Sequence, residues 1–176
     1  MNNHKKIGLV IIGHLESTRL PEKMLLPLGS QTFLGQVFDY AKAGFSGTIV
    51  FAAPHDSRDD GLAALAASKN LSVVRGHPTD IIRRYLQAAE KFDLDAIITW
   101  DGDDLFVDRE CLDETARLLE EGADFVKPAD LPYGTFSYGL SARALRQMTE
   151  RLAAGDTDGW QKFITEIPGV KIREYR

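Results

Sequence analysis

Two cations and three carboxylates carry the chemistry this sequence could perform. Arg19 and Lys23 stand in Gly13-His-Leu-Glu-Ser-Thr-Arg-Leu-Pro-Glu-Lys23, directly after the apolar run 7–12, and Asp101, Asp103 and Asp104 follow the apolar run 96–100. A buried strand that empties into a glycine-started, hydroxyl-bearing loop is where α/β proteins hold nucleotide phosphates, because loop amides and cations converge at the strand's carboxyl end. Carboxylates packed as tightly as Asp101-Gly-Asp-Asp104 repel one another. A hard divalent cation such as Mg²⁺ relieves that repulsion while bridging to phosphate. Loop and acidic turn together point to a nucleotide and a metal.

The elements that must position these groups alternate along the chain. Short runs rich in Ile and Val at 7–12, 48–52, 71–74, 96–100 and 125–126 read as strands, and the patterns 33–43, 59–69, 79–92 and 108–121 between them read as helices. Thr79 and Asp108 are placed as N-caps, and Gly44 and Gly122 stand where helices stop. Parallel neighbours need a crossover, so the alternation predicts a mostly parallel sheet with helices on both faces, a Rossmann-like three-layer α/β/α fold. Ligands of such sheets bind beyond the carboxyl ends of the strands, where both loops fall. After Pro128 comes an aromatic, glycine-rich connection, 129–139, long enough to cover a substrate. A helix over 141–153, a second short helix and a strand-like 170–175 complete the order.

Composition narrows the class. With 176 residues and 44% hydrophobic content, one well-buried domain is expected, divided into a nucleotide-binding core (1–128) and an acceptor and oligomerisation segment (129–176). A net charge of −5 without a basic tract argues against nucleic acid as a partner. Cys111 is the only cysteine, so no intrachain disulfide can form, and it reads as a small core residue. The N-terminal apolar run breaks at Gly13, too short for a membrane span and without a cleavage site, so a soluble, cytoplasmic protein with no membrane partner is expected.

Ser17-Thr-Arg-Leu-Pro-Glu-Lys23 followed by Leu25-Leu-Pro-Leu-Gly29, then Val74-Arg-Gly76 with Asp80 and Arg84-Tyr85, and finally Gly102-Asp103, together resemble the cytidylyltransferases that activate acidic sugars. The spore coat polysaccharide type is the nearest in pattern, with the 3-deoxy-manno-octulosonate and acylneuraminate enzymes as more distant relatives. The resemblance implies a nucleotide-diphospho-sugar transferase fold and transfer of CMP from CTP to a small sugar with release of pyrophosphate and help from Mg²⁺. It implies Arg19 and Lys23 as the catalytic cations, and Gly13, His14, Ser17, Thr18, Arg75, Gly76 and Asp80 as further nucleotide contacts. Asp103 and Asp101 would take the metal, Tyr133 and Tyr138 the acceptor, and a homodimer is expected. The cationic assignment is sound chemistry, because nucleotidyl transfer needs positive charge where the attacked phosphate and the leaving pyrophosphate become more negative.

Three departures from that pattern shape the expectations. Gly13-His14 stands where the family usually has Ala-Arg, so an imidazole replaces a permanent guanidinium and the phosphate grip weakens. Glu16 stands where the family favours Gly and would face the triphosphate unless it turns away or meets the metal. The family's further metal-binding Asp, in a segment beyond Tyr175, has no counterpart in these residues, so either the metal site is incomplete or Asp101 or Asp104 compensates.

Ordinary structural roles compete with each assignment. Arg19 and Lys23 could be solvated cations, the Asp cluster a turn and helix start, and the aromatics anchors of a long loop. His55 reads as a surface-loop residue, His77 as part of a turn into a helix, and Tyr85, Leu86 and Phe92 as core. Two further functions stay open: a sugar-nucleotide glycosyltransferase using Asp101-Gly-Asp103 as an Asp-x-Asp motif, and a non-catalytic relative that binds nucleotide or a partner subunit.

Overall fold

A computed structural model describes residues 4–17, 19–152, 155, 157 and 159–176. The sheet begins with β1 (Ile7–Ile12), whose residues point alternately to two cores. Leu9 and Ile11 pack with Phe38 and Leu62 on one side, and Val10 and Ile12 pack with Ile82 and Leu145 on the other. The remaining strands are β2 (Pro27–Leu28), β3 (Gln31–Thr32), β4 (Thr48–Pro54), β5 (Ser72–Gly76), β6 (Ala96–Asp101), β7 (Phe125–Pro128), β8 (Gly139–Ser141) and β9 (Ile172–Tyr175). Seven of them form one sheet in the order β5-β4-β1-β6-β8-β7-β9, while β2 and β3 pair as a small hairpin.

The helices are α1 (Phe33–Gly44), α2 (Asp60–Ser68), α3 (Ile81–Lys91), α4 (Arg109–Glu120), α5 (Ala142–Arg151) and α6 (Gln161–Ile164). Helices α1, α2 and α4 cover one face and α3, α5 and α6 the other, giving the expected three layers. All neighbours in the seven-stranded sheet run parallel except at β8, which lies antiparallel between β6 and β7.

Two local expectations change. Residues 139–141 form an inserted strand where the sequence reads as the end of a loop and the start of a helix; Leu140 is fully buried there, and Ser141 then caps α5 by accepting from Ala144 N at 3.1 Å. Asp80, not Thr79, caps α3, its carboxylate accepting from Arg83 N at 3.0 Å. A carboxylate is the stronger partner for the free amides of a first helical turn, where the helix dipole also favours negative charge. Asp108 caps α4 as expected, accepting from Glu110 N at 2.8 Å. Ala153, the expected end of α5, lies outside the described residues.

The parallel register brings Ile12 of β1 beside Asp101 of β6, so the loop that follows β1 and the acidic turn that follows β6 leave the sheet together. Gly102 N donates to Ile12 O at 2.8 Å. A Cβ at Gly102 would sit 2.7 Å from that same carbonyl oxygen, so only glycine permits this approach.

Candidate active site

A cleft of about 420 Å³ opens at the carboxyl ends of β1, β4 and β6. At one end stand Lys23, Asp101 and Asp103; at the other, Pro54, Pro78, Thr79, Ile81 and Arg84; Gly13, His14, Glu16, Asp56, Arg58 and Asp59 complete the lining. Of the residues singled out from the sequence, the structure therefore brings together Gly13, His14, Lys23, Asp101 and Asp103.

Lys23 opens a short helical turn behind Glu22, and its ammonium closes an ion pair with the Asp103 carboxylate. The acidic turn is thus partly neutralised from within the protein. Asp104 is half-buried, and burial together with the nearby Asp103 charge pushes its carboxyl up to about 6, against the opposing pull of Lys23. Among the described residues, no cluster of three His, Cys, Asp or Glu side chains is gathered for a metal. Two acidic side chains facing one cleft still match an ion that takes only one or two carboxylates from the protein and completes its shell with phosphate and water.

The loop after β1 is held from the other side of the cleft. Leu15 N donates to Asp59 Oδ1 at 2.7 Å, and Asp59 is 4% exposed at the start of the turn into α2. Glu16 turns toward Arg58, whose Nη2 lies 3.7 Å from its Oε2, and Arg58 also binds Asp56 at 3.0 Å. The Arg58 hydrogen bonds hold the Asp56 carboxyl below its ordinary range. Glu16 therefore has a cation to answer it, the outcome in which its charge turns aside.

Other residues chosen from the sequence lie elsewhere. Ser17 Oγ accepts from Leu20 N at 3.3 Å, Arg19 is exposed, and Thr18 lies outside the described residues. Arg75 fastens the turn after β4, through Asp60 at 2.6 Å, Pro54 O at 2.8 Å and Asp56 O at 2.5 Å. Gly76 O accepts from His55 N at 2.7 Å. Asp80 is buried as a cap, accepting also from Thr157 Oγ1 at 3.1 Å. Tyr133 is 93% exposed with its ring 5.9 Å from Phe136, and Tyr138 stacks on Phe125 at 5.9 Å. His77 Nδ1 accepts from Asp80 N at 3.0 Å, the expected turn role.

Sequence reading missed Asp56, Arg58, Asp59, Thr79 and Arg84 as lining residues. Arg84 carried the one available signal, a cation on the apolar face of a helix beside Tyr85, for burial there sets a cation apart from the solvated ones.

The model of the cytidylyltransferase family matches residues 9–157. The spore coat polysaccharide biosynthesis protein SpsF of Bacillus subtilis is 28% identical over 165 residues, 90% of this chain and 68% of that protein. A solved cytidylyltransferase from Leptospira borgpetersenii superposes with a TM-score of 0.86 at 27% identity, over 98% of this chain and 76% of that one. The structure of CMP:2-keto-3-deoxy-manno-octonic acid synthetase complexed with CTP shares the fold, with a TM-score of 0.75 at 13% identity over 97% of this chain and 89% of that one. With the family match running from β1 to Thr157 and the fold of its solved members reproduced, this chain belongs to the cytidylyltransferase family.

Proposed function

We propose that this protein transfers CMP from CTP to an acidic sugar, forming a CMP-activated sugar for surface polysaccharide synthesis. The observation that carries the reading is the joint position of Lys23, Asp101 and Asp103 at one end of a cleft whose other end is lined by Pro54, Pro78, Thr79, Ile81 and Arg84. The triphosphate lies over the Gly13–His14 loop, with Lys23 and Arg19 against the phosphates, and the base lies toward Pro54 and Pro78. A hydroxyl oxygen of the acceptor attacks the α-phosphorus, the bond to the bridging oxygen of the β-phosphate breaks, and pyrophosphate leaves with that electron pair while the hydroxyl proton passes to water. Lys23 supplies fixed positive charge as the phosphates gain negative charge, without changing its own protonation.

Asp103 and Asp101 would hold a divalent cation such as Mg²⁺. When bound, that ion offsets carboxylate and phosphate charge together. Lys23 must exchange Asp103 for phosphate as nucleotide arrives, which makes the ion pair a resting arrangement of the site. Arg75, Gly76 and Asp80 serve the nucleotide by fixing the turns after β4 and β5. Tyr133 and Tyr138 face the acceptor sugar, and residues 129–176 also pair two copies of the chain. Among the described residues, no helix is long and apolar enough to cross a membrane, and the reading places the reaction in the cytoplasm.

The test is pyrophosphate release from CTP and Mg²⁺ across a panel of acidic sugars, with UDP- and GDP-sugars as controls. Release with one acidic sugar, lost in Lys23→Ala, supports the reading. Binding of a UDP- or GDP-sugar without pyrophosphate release from CTP would replace it with glycosyl transfer.

A further inference from the structure

Residues 129–138 run from β7 to β8 without a helix or strand of their own, yet one residue of β9 holds both ends of the stretch. Ala129 N donates to Tyr175 O at 2.8 Å, and the Tyr175 hydroxyl donates to Ser137 O at 2.9 Å. The first tie follows from register, because Pro128 pairs with Tyr175 in the parallel β7–β9 ladder. The second is made by a side chain. Tyr175 is 6% exposed and its ring belongs to the core that holds Val126 and Leu119. Burial raises the pKa of its hydroxyl, which therefore stays a donor. Ser137 is 2% exposed, so loss of that hydroxyl would leave a buried carbonyl oxygen without its donor.

Between the two ties the stretch lies on the turn that carries the site's carboxylates. Asp108 N donates to Thr135 O at 2.8 Å, and a Cβ at Gly134 would stand 3.2 Å from Asp104 Oδ1. Past the second tie, Thr99 N donates to Tyr138 O at 2.8 Å, two residues before Asp101 on β6. A connection free at its feet would swing. One fastened at both feet carries its aromatic rings as a fixed wall, and its ordering cost is met on folding rather than on binding. We infer that Tyr175 is a positioning residue of the reaction, which presets the acceptor side by fastening both feet of 129–138 against the acidic turn. The inference rests on the reading above, in which this stretch faces the acceptor sugar. It makes the stretch a preformed wall and not a lid that closes on arrival.

The experiment compares the unaltered protein with Tyr175→Phe, which keeps the ring in the core and removes only the hydroxyl. Hydrogen exchange comes first. In the unaltered protein without substrate, the amides of Ala129, Thr135 and Tyr138 should exchange slowly, as in a preformed wall; in the variant they should exchange about tenfold faster while those of β1 and β4 keep their rates. Calorimetric titration with CTP and Mg²⁺ should give the same Kd within about twofold, since no residue of 129–138 lines the nucleotide cleft. With the acidic sugar that supports pyrophosphate release, the KM for the sugar should rise about threefold to tenfold, with kcat and the KM for CTP within about twofold. Unchanged exchange in the variant would overturn the assignment, as would faster exchange spread through β1 and β4 or an unmoved KM for the sugar. Exchange as fast as that of an unprotected segment in the unaltered protein would overturn it as well, and that measurement stands if the variant does not fold. Release with no sugar would overturn the transfer reading, and the acceptor role of Tyr175 with it, whereas unchanged exchange sinks the role of Tyr175 alone.

Discussion

The two ends of the cleft hold positive charge in opposite ways. At one, Lys23 and Asp103 close on each other in a partly exposed pair; at the other, Arg84 is buried with its Nε unpartnered. A paired, partly exposed cation rests at little cost and must be released when ligand arrives. A buried, unpaired one bears its desolvation permanently and stays covered, with its Nε out of reach of the cleft. The first arrangement suits phosphates that are bound, attacked and released, whereas the second fixes positive charge inside the wall of the cleft. Variants at the two ends should therefore differ in kind, Lys23 acting on phosphate binding and turnover together and Arg84 on the packing of the cleft wall.

The largest effect is expected at Lys23. Lys23→Ala should lower pyrophosphate release by about a hundredfold to a thousandfold, the usual consequence of removing one charge-stabilising donor. Steady-state kinetics with CTP and Mg²⁺ would measure it, and a raised KM with kcat unchanged would place Lys23 in binding alone. Gly102→Ala comes next, because its Cβ would meet the Ile12 carbonyl at 2.7 Å and push the acidic turn away from β1. A loss of up to about 3 kcal/mol in denaturant unfolding, with reduced activity, is the expected result. Asp59→Ala leaves Leu15 N without its acceptor and should cost about 1.5 kcal/mol, whereas Asp59→Asn retains a side-chain oxygen and should recover most of it. A loop held by other means would show no difference between the two.

The smallest expected effect is a pH dependence at Asp104. Its carboxyl is raised from 3.8 to about 6, so between those values the folded state keeps a proton that the unfolded state has lost. The contribution of this residue is fully present below pH 3.8 and declines as pH rises through about 6. Asp104→Asn, compared with the unaltered protein by thermal unfolding from pH 4 to 7, should reduce that decline. An unchanged pH profile would show that Asp104 titrates as a solvated carboxylate.

The legible parts of the fold were those built from local pattern. Strand β1 is a continuous apolar run because both its faces are buried, and α3 and α4 show their apolar stripes plainly. Strand β8 was not legible. Three residues, Gly139-Leu-Ser141, carry no period, and they become a strand only because β6 and β7 leave a gap that they fill. The site divided in the same way. Asp101 ends β6, Asp103 follows it and Lys23 lies in the connection after β1, so their meeting at neighbouring strand ends could be read from alternation alone. Asp59 and Arg84 reach the cleft through crossovers: Asp59 ties to Leu15 across 44 residues, a separation that sequence spacing does not encode.

Binding of CTP with and without Mg²⁺, in the unaltered protein and in Lys23→Ala, tests whether the paired end of the cleft opens for a nucleotide and its metal. Tight CTP binding that requires Mg²⁺ and is lost in Lys23→Ala is the predicted result. CTP binding that is indifferent to Mg²⁺ and to the lysine, or no CTP binding at all, would contradict it.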